Sequence, residues 1–386
     1  MAGLQALMAS FLLSCPWLPG CKIATLMQIQ ELRQQLQAAG ARACHEHRVL
    51  RAWLQNKPLD AGGKRHAAQH YLPKGVREML PALAERLAGL AKVRSEHPGE
   101  DGSARLLVAL ADGQTVESVL LPRDGVCVST QIGCAVGCTF CMTGKDGLLR
   151  QVESAEIVAQ VVLASARRRV RRVVFMGMGE PAHNLDNVLE AIDTLGRYTA
   201  IPHKNLVFST VGDHRVFERL PQGVVKPGLA LSLHTTRADL RAELLPRAPR
   251  IAPEELVELA ERYARTVGYP IQYQWTLLAG VNDSDEELEG IVRLLKGKYA
   301  MMNFIPFNAV EGLPYTRPSW ERANELAGRL HQQGILARLR DSAGQDVDGG
   351  CGQLRARAAK EALERHGLPH ARISVLRRLE NGALPT

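Results

Sequence analysis

Between residues 126 and about 342 the chain alternates two apolar patterns, and this most restricts its fold. Short strand-like runs occur at Val126–Gln131, Arg172–Met176, Leu206–Val211, Leu229–Leu233, Ile271–Leu278, Met301–Phe307 and Ile335–Arg340. Helix-like runs with apolar residues three and four apart lie between them, at 154–168, 185–197, 214–219, 253–266, 284–297 and 319–333. Ser154 ahead of Ile157, Val158, Val161 and Val162 reads as a capped amphipathic start. A strand returned by a helix places the next strand parallel to it, so the pattern predicts an α/β fold. Six or seven such units favour a partial (βα)6-type TIM barrel over a doubly wound sheet. Function is then expected on the loops after the strands.

The flanks differ from this centre. Residues 27–94 read as short helices broken by Gly40, Pro58, Gly62-Gly63 and Pro73, a small helical accessory domain. Ser95–Ser103 reads as a linker by composition, and Ala104–Leu110 with Thr115–Leu121 as a hairpin around Asp112-Gly113. The barrel is expected over 122–350, followed by a basic, partly helical tail over 351–386. Charge follows the same division. Residues 1–100 hold 13 Lys and Arg against 7 Asp and Glu, and residues 351–386 hold 7 against 3. The centre is near balance, at 28 against 30. The net charge of +8 therefore sits on the flanks, the parts expected to grip an anionic partner. Arg167-Arg168-Arg169 and Arg171-Arg172 are basic exceptions in the centre and read as a solvated helix end.

The first stretch, Met1 to Cys21, is apolar but has no Lys or Arg before Lys22, so the charged start of a secretory signal is missing. It is too short to span a membrane. Residues 1–26 are expected to be a dispensable extension, with Met27 as an alternative start, in a cytoplasmic protein. The eight cysteines are too sparse for a secreted disulfide scaffold, and four of them fall between 127 and 141.

Those four carry the strongest chemical signal. Cys134, Cys138 and Cys141 are spaced C-x3-C-x2-C directly after a strand-like run. Three thiolates on one loop can bind three irons of a [4Fe–4S] cluster and leave the fourth iron for a small chelating molecule. A structural zinc site would need a fourth ligand, usually in two spaced pairs, and no nearby fourth Cys or His has that arrangement. Inert core cysteines are the bland alternative. One unit later, Phe175-Met-Gly177-Met-Gly179-Glu180-Pro181 ends a strand. Its glycines admit close approach of a ligand, and its carboxylate can accept from an ammonium group. The bland alternative is a strand-to-helix turn. Ser209, Ser232 with Leu233 and His234, and Asn308 stand at three further strand ends, as ligand contacts or as simple turn residues. Cys351 lies in a glycine-rich loop, as an incidental thiol or a nucleophile. Cys127 is either a core strand residue or a second working thiol.

The three-cysteine motif, with Phe140 before its last cysteine, resembles the radical S-adenosylmethionine (SAM) superfamily, and the Gly179-Glu180-Pro181 turn resembles the element that holds SAM's amine. Further runs narrow the resemblance: Cys127-Val-Ser-Thr-Gln-Ile-Gly-Cys134, Cys141-Met-Thr-Gly-Lys145, Ser209-Thr-Val-Gly, Leu-Ser232-Leu-His234, Gly280-Val-Asn-Asp-Ser284, Ile-Pro-Phe-Asn308 and Cys351-Gly-Gln-Leu354. Over about residues 104–357 these are similar to the RlmN/Cfr family of radical SAM RNA methyltransferases.

The resemblance implies a [4Fe–4S] cluster on Cys134, Cys138 and Cys141, and two SAM molecules per turnover. It implies SAM contacts at Gly179, Glu180, Ser209, Ser232, Leu233, His234 and Asn308. Cys351 becomes S-methylcysteine, its methyl loses a hydrogen atom to the 5′-deoxyadenosyl radical, and the resulting carbon radical adds to an adenine ring carbon. Cys127 then releases the methylated RNA through a transient disulfide. Glu117 matches the family's proton acceptor; without the resemblance it reads equally as a solvated strand residue. Carbon 2 of an adenine in ribosomal or transfer RNA is the expected target. A flavodoxin-type electron donor and a monomeric, membrane-free protein complete the expectation. The sequence departs from the family at Arg42–Asn56, at Gln272-Tyr-Gln274-Trp275, and at Arg340-Asp341-Ser-Ala-Gly344, so a divergent paralogue is implied. The competing readings are a radical SAM enzyme acting on a protein or small molecule, and a zinc-bound RNA-binding module.

Overall fold

The computed structural model describes residues 27–61, 70–310 and 312–355. The N-terminal extension, Gly62-Gly63 with Lys64 and Arg65, and the tail beyond residue 355 lie outside the described residues. Among the described residues three helices come first: α1 (Ile29–Ala38), α2 (Ala43–Leu54) and α3 (Lys74–Gly89). An antiparallel meander follows, β1 (Ala91–Pro98), β2 (Ala104–Leu110) and β3 (Thr115–Leu121), leading into β4 (Gly125–Cys127). A separate small antiparallel pair is made by β5 (Gln131–Gly133) and β6 (Leu148–Gln151).

The repeating part then runs α4 (Ser154–Ser165), β7 (Arg172–Phe175), α5 (Leu185–Tyr198), β8 (Leu206–Thr210), α6 (His214–Arg219) and β9 (Gly228–Ser232). It continues through α7 (Ala238–Leu244), α8 (Pro253–Val267), β10 (Ile271–Leu277), α9 (Asp285–Leu295), β11 (Ala300–Pro306), α10 (Trp320–Gln332) and β12 (Leu336–Leu339). The ten-stranded sheet has the order β1-β2-β3-β4-β7-β8-β9-β10-β11-β12. From β4 onward every pairing is parallel. This is the expected α/β partial barrel: β12 is a free edge, and the antiparallel meander extends the other side. All seven expected barrel strands form.

Strand β10 shows how the sequence sets the two faces. Tyr273, Trp275 and Leu277 are fully buried on the helix side, whereas Gln272, Gln274 and Thr276 alternate onto the concave side. Helix boundaries follow capping chemistry. Helix α8 starts with Pro253 in its first turn and stops at Gly268, whose φ of 73° is a left-handed cap. Ser284 caps α9 by accepting from the Glu287 N–H.

Four sequence expectations are corrected. Ser95–Pro98 is not linker but the second half of β1, an edge strand paired with β2; only the turn after it is irregular. Ser154 is not the cap of α4: Glu153 is, in a reciprocal box with Glu156. Instead the Ser154 hydroxyl donates to Glu190 (2.5 Å) and accepts from the Ile29 N–H (2.9 Å). Helix α7 was not expected. Arg172 is not on a solvated helix end but opens β7, half-buried.

The Ile29 bond docks α1 onto the barrel. Arg33 and Tyr198 both reach Glu46 of α2, and one continuous apolar core runs from Leu32, Leu36 and Val49 through Val158 and Ile192 to Phe208 and Trp275. The helical layer thus covers the outer face of α4 and α5 rather than the strand ends. The C-terminal strand ends are left to the loops.

Candidate functional site

The strand after β4 enters the site through a set of fixed polar contacts. Ser129 is clamped by Gln160, which bonds both its N–H (2.9 Å) and its carbonyl (2.9 Å). Its hydroxyl donates to the Glu117 carbonyl (2.5 Å) and accepts from the Met178 N–H (2.8 Å). Gln131 accepts from the Glu180 N–H at 2.7 Å. Gly177 and Gly179 are required by this closeness. A side chain at Gly177 would stand 2.7 Å from the Val128 carbonyl, and one at Gly179, where φ is 103°, would stand 2.6 Å from Gln131.

Glu180 is buried, and its carboxylate accepts from the N–H groups of Ala182 (3.0 Å) and Val211 (3.0 Å). Burial outweighs those bonds and pushes its carboxyl up to about 7. His234, at φ 63°, is buried against Phe140 with ring centroids 4.9 Å apart. Its Nδ1 accepts from the Thr276 N–H (3.0 Å), so the neutral ring carries its proton on Nε2. Burial, with Arg241 nearby, drives its pKa down to about 3, so it stays neutral. Asn282 holds the His234 carbonyl (2.7 Å) and the Thr276 carbonyl (2.8 Å), which gives the Gly280–Ser284 run a bracing role. Ser209 and Ser232 are half-buried and Leu233 is fully buried at the same strand ends.

The cysteine loop sits in its own apolar cluster, with Val136, Phe140, Val211, Leu245, Leu278 and Phe307. It is pinned by Cys134 N–H to Gly147 O (3.0 Å) and Thr139 N–H to Leu244 O (3.0 Å). Cys134, Cys138 and Cys141 bear on one another electrostatically; burial and that repulsion push the Cys134 thiol up to about 12 and the Cys138 thiol well above its usual range. Such thiols ionise only beside a compensating cation. No group of three His, Cys, Asp or Glu side chains among the described residues is arranged for a metal ion. A cluster asks for something else, one thiolate on each of three separate irons. Three neighbouring thiols in an apolar shell, with no fourth ligand among the described residues, fit that demand.

Cys351 meets this loop directly. The Met142 N–H donates to the Gly352 carbonyl (2.8 Å), and the Thr143 hydroxyl to the Leu354 carbonyl (2.6 Å). Asn308 donates to the Cys351 carbonyl (2.9 Å) and to the Ser342 hydroxyl (2.9 Å). Cys351 is exposed and Cys127 is buried; both are free, and the charge of Cys351 adds to the burial that raises the Cys127 thiol. Expected Glu117 is not on a solvated face. It is 1% exposed, takes Arg105 Nη1 on one oxygen (2.5 Å) and the Arg355 N–H on the other (2.8 Å). Arg105 Nε in turn holds the Val347 carbonyl (2.6 Å), so the pair fastens both ends of the Cys351 loop.

Comparisons with known proteins identify the relatives of this chain. Residues 128–295 match the Radical SAM superfamily. A curated "Probable RNA methyltransferase" of Dechloromonas aromatica is 71% identical over 331 residues, 86% of this chain and 93% of that protein. One from Leptothrix cholodnii is 70% identical over 339 residues, 88% of this chain and 97% of that protein. The crystal structure of a radical SAM methyltransferase from Sphaerobacter thermophilus superposes with a TM-score of 0.73 at 35% identity, covering 86% of this chain and 98% of that one.

The chain belongs to the radical SAM methyltransferases. The cofactors of a radical SAM methyltransferase are a [4Fe–4S] cluster and SAM. Among the described residues no helix is long and apolar enough to cross a membrane. Several working parts of this radical SAM site carry no short motif. Arg241 of α7 is buried and donates to the carbonyls of Ser232 (2.9 Å), Leu233 (2.6 Å) and Val211. It ties together the two strand ends around Glu180 and His234, and only the length and charge of its side chain could have suggested it. Gln131 and Ser129 lie inside the recognised Cys127–Cys134 run, but their partners are far along the chain.

Proposed function

We propose that this protein methylates carbon 2 of an adenine in ribosomal or transfer RNA, with Cys351 as the carrier of the methyl group. The observation behind this reading is the seating of the Cys351 loop on the three-cysteine loop, with Cys127 as a second thiol beneath it. Such a pair of working thiols next to a cluster loop has no use in ordinary methyl transfer. The names of the relatives support RNA as the substrate class.

In this reading Cys134, Cys138 and Cys141 hold the cluster. Gly179, Glu180, Ser209, Ser232, Leu233, His234 and Asn308 hold SAM, with Glu180 accepting from its amine and His234 donating through Nε2. Bound there, cluster and SAM supply a 5′-deoxyadenosyl radical, with the electron from an external flavodoxin-type donor. Cys351 takes a methyl group from SAM: the methyl–sulfonium bond breaks to leave S-adenosylhomocysteine, and the thiol proton leaves as the new carbon–sulfur bond forms. After one hydrogen atom is removed, that carbon joins the adenine ring, and the ring radical then gives back one electron, the equivalent of the one the donor would supply, and loses its ring proton to a base. Cys127 then attacks the Cys351 sulfur: the S–S bond forms, the carbon–sulfur bond breaks, and the departing carbon takes the electron pair and a proton. Glu117 is committed to Arg105 and Arg355, so accepting the ring proton requires one of those bonds to open.

Mass mapping of modified nucleosides, with and without this protein, tests the reading. A methyladenosine should vanish from one RNA when the gene is removed, and the Cys127→Ala variant should accumulate a covalent protein–RNA adduct. Full methylation by Cys351→Ala would overturn the mechanism.

A further inference from the structure

The concave side of the barrel's free edge is cationic and polar, where a TIM-type lumen is usually filled by branched apolar side chains. Parallel pairing places Ser232, Gln274, Asn303 and Arg338 in one row across β9, β10, β11 and β12, all on the concave face. Arg340 lies two residues beyond Arg338, and its N–H bonds the Phe304 carbonyl at 2.8 Å. From the opposite wall Arg172 of β7 reaches across two strands to Gln272 Oε1 at 3.1 Å. The charges acting on Arg172 are those of Arg340 and Arg338, both repulsive. Arg172 Nε is buried without a partner. Behind the arginines, Gln274 and Asn303 are 4% and 2% exposed, and Gln274 Oε1 and Asn303 Nδ2 are unpartnered.

Like charges gathered beside the unpaired buried donors Arg172 Nε and Asn303 Nδ2 are costly unless something answers them; Gln274 Oε1, an acceptor, takes no part in this. An oxyanion does, because it accepts several N–H bonds at once. The Arg340 end of this row lies close to the carrier thiol, whereas Arg172 and Gln272 stand at the starts of β7 and β10. Ser342, two residues after Arg340, shares the Asn308 amide with the Cys351 carbonyl.

We propose that Arg338 and Arg340, backed by Arg172 from the N-terminal end of β7, form an anion site that grips a backbone phosphate of the RNA beside the nucleotide presented to Cys351. This rests on the RNA reading above. It moves one phosphate contact from the basic flanks into the barrel itself, where it sets the position of the target base.

The test is equilibrium binding of a short oligoadenylate to the anaerobic, cluster-loaded full chain across a series of salt concentrations. In Arg338→Ala/Arg340→Ala the affinity should fall about tenfold at low salt. The slope of log affinity against log salt should become shallower by about 0.7 for one lost phosphate contact on a single strand. Arg338→Lys/Arg340→Lys keeps the charges and should keep the slope, which a purely structural role would not predict. An unchanged slope in the alanine variant overturns the proposal. So does a loss of SAM affinity with the RNA slope intact, which would assign the arginines to SAM's carboxylate. If the wild-type chain binds the oligoadenylate with no salt dependence at all, the RNA reading falls first and the phosphate site with it.

Discussion

Glu117 can be a base or a latch, and the two roles separate experimentally. The perturbation is Glu117→Gln. Its carboxylate is 1% exposed and faces an Arg105 side chain 9% exposed, so solvent screens the pair little. Removing one partner of a buried pair costs about 3–5 kcal/mol. Glutamine keeps the size and one acceptor oxygen, so the lower end, about 3 kcal/mol, is the expected loss. The pair ties Val347 at one end and Arg355 at the other, so the loss should fall on opening of the loop between them rather than on global unfolding. At about 1.4 kcal/mol per tenfold, opening should become about a hundredfold more frequent. The assay is amide hydrogen exchange read by mass spectrometry. Faster exchange is expected in the segment from Gly349 to Arg355 and at Met142, whose N–H is held by Gly352. The double variant Glu117→Gln/Arg105→Met removes the charge left unpaired but also the bond to Val347, so protection should recover about tenfold near Arg355 and Met142 and not at Gly349. Unchanged exchange in Glu117→Gln, with a covalent protein–RNA adduct accumulating, would refute the latch and leave Glu117 as the base alone.

Three further outcomes follow from the site. Gly179→Ala places a methyl group 2.6 Å from Gln131 at a φ of 103°, so roughly 1–3 kcal/mol of strain should lower the melting temperature, and calorimetric SAM affinity should fall because Glu180 is displaced. His234→Phe leaves the Thr276 N–H unpaired at a cost of about 1–3 kcal/mol, so both melting temperature and SAM affinity should drop; unchanged values would remove His234 from the site. Glu180 has its pKa raised from 4.5 to about 7, which corresponds to about 3 kcal/mol. Because the folded value lies above the unfolded one, this stability is complete below about pH 4.5 and is lost as the pH rises through about 7. Glu180→Gln should remove that part of the pH dependence in denaturant titrations of the cofactor-free chain, and an unaltered profile would mean the carboxyl is ionised throughout.

What was legible in the sequence depended on how far apart the interacting residues lie. The barrel strands were legible because each is a self-contained apolar run, and the cysteine loop because its thiols are near neighbours in the chain. Strand β1 was hidden because an edge strand need bury only alternate residues, and Ser95-Glu96-His97-Pro98 has the composition of a turn. Helix α7 was hidden because its inward face buries Arg241 beside Leu244, so it shows no apolar stripe. In the site, the resemblance supplied individual residues but not the bonds that join them. Glu117 meets Arg105 12 positions away, a spacing a hairpin allows, but meets Arg355 238 positions away, and Arg105 meets Val347 242 positions away. No local pattern encodes such pairs, because closure of the sheet and the path of the final loop create them. The charge count is silent on grouping for a related reason. A balanced centre at 28 against 30 pointed to the flanks as the parts free to grip phosphates. Yet the sheet segregates those charges, pairing Arg150 with Asp112 and Glu156 on one side while bringing Arg172 near Arg338 and Arg340 on the other. Electrostatic attraction for a bound anion depends on which charges share a surface, so a near-neutral barrel can still grip a phosphate.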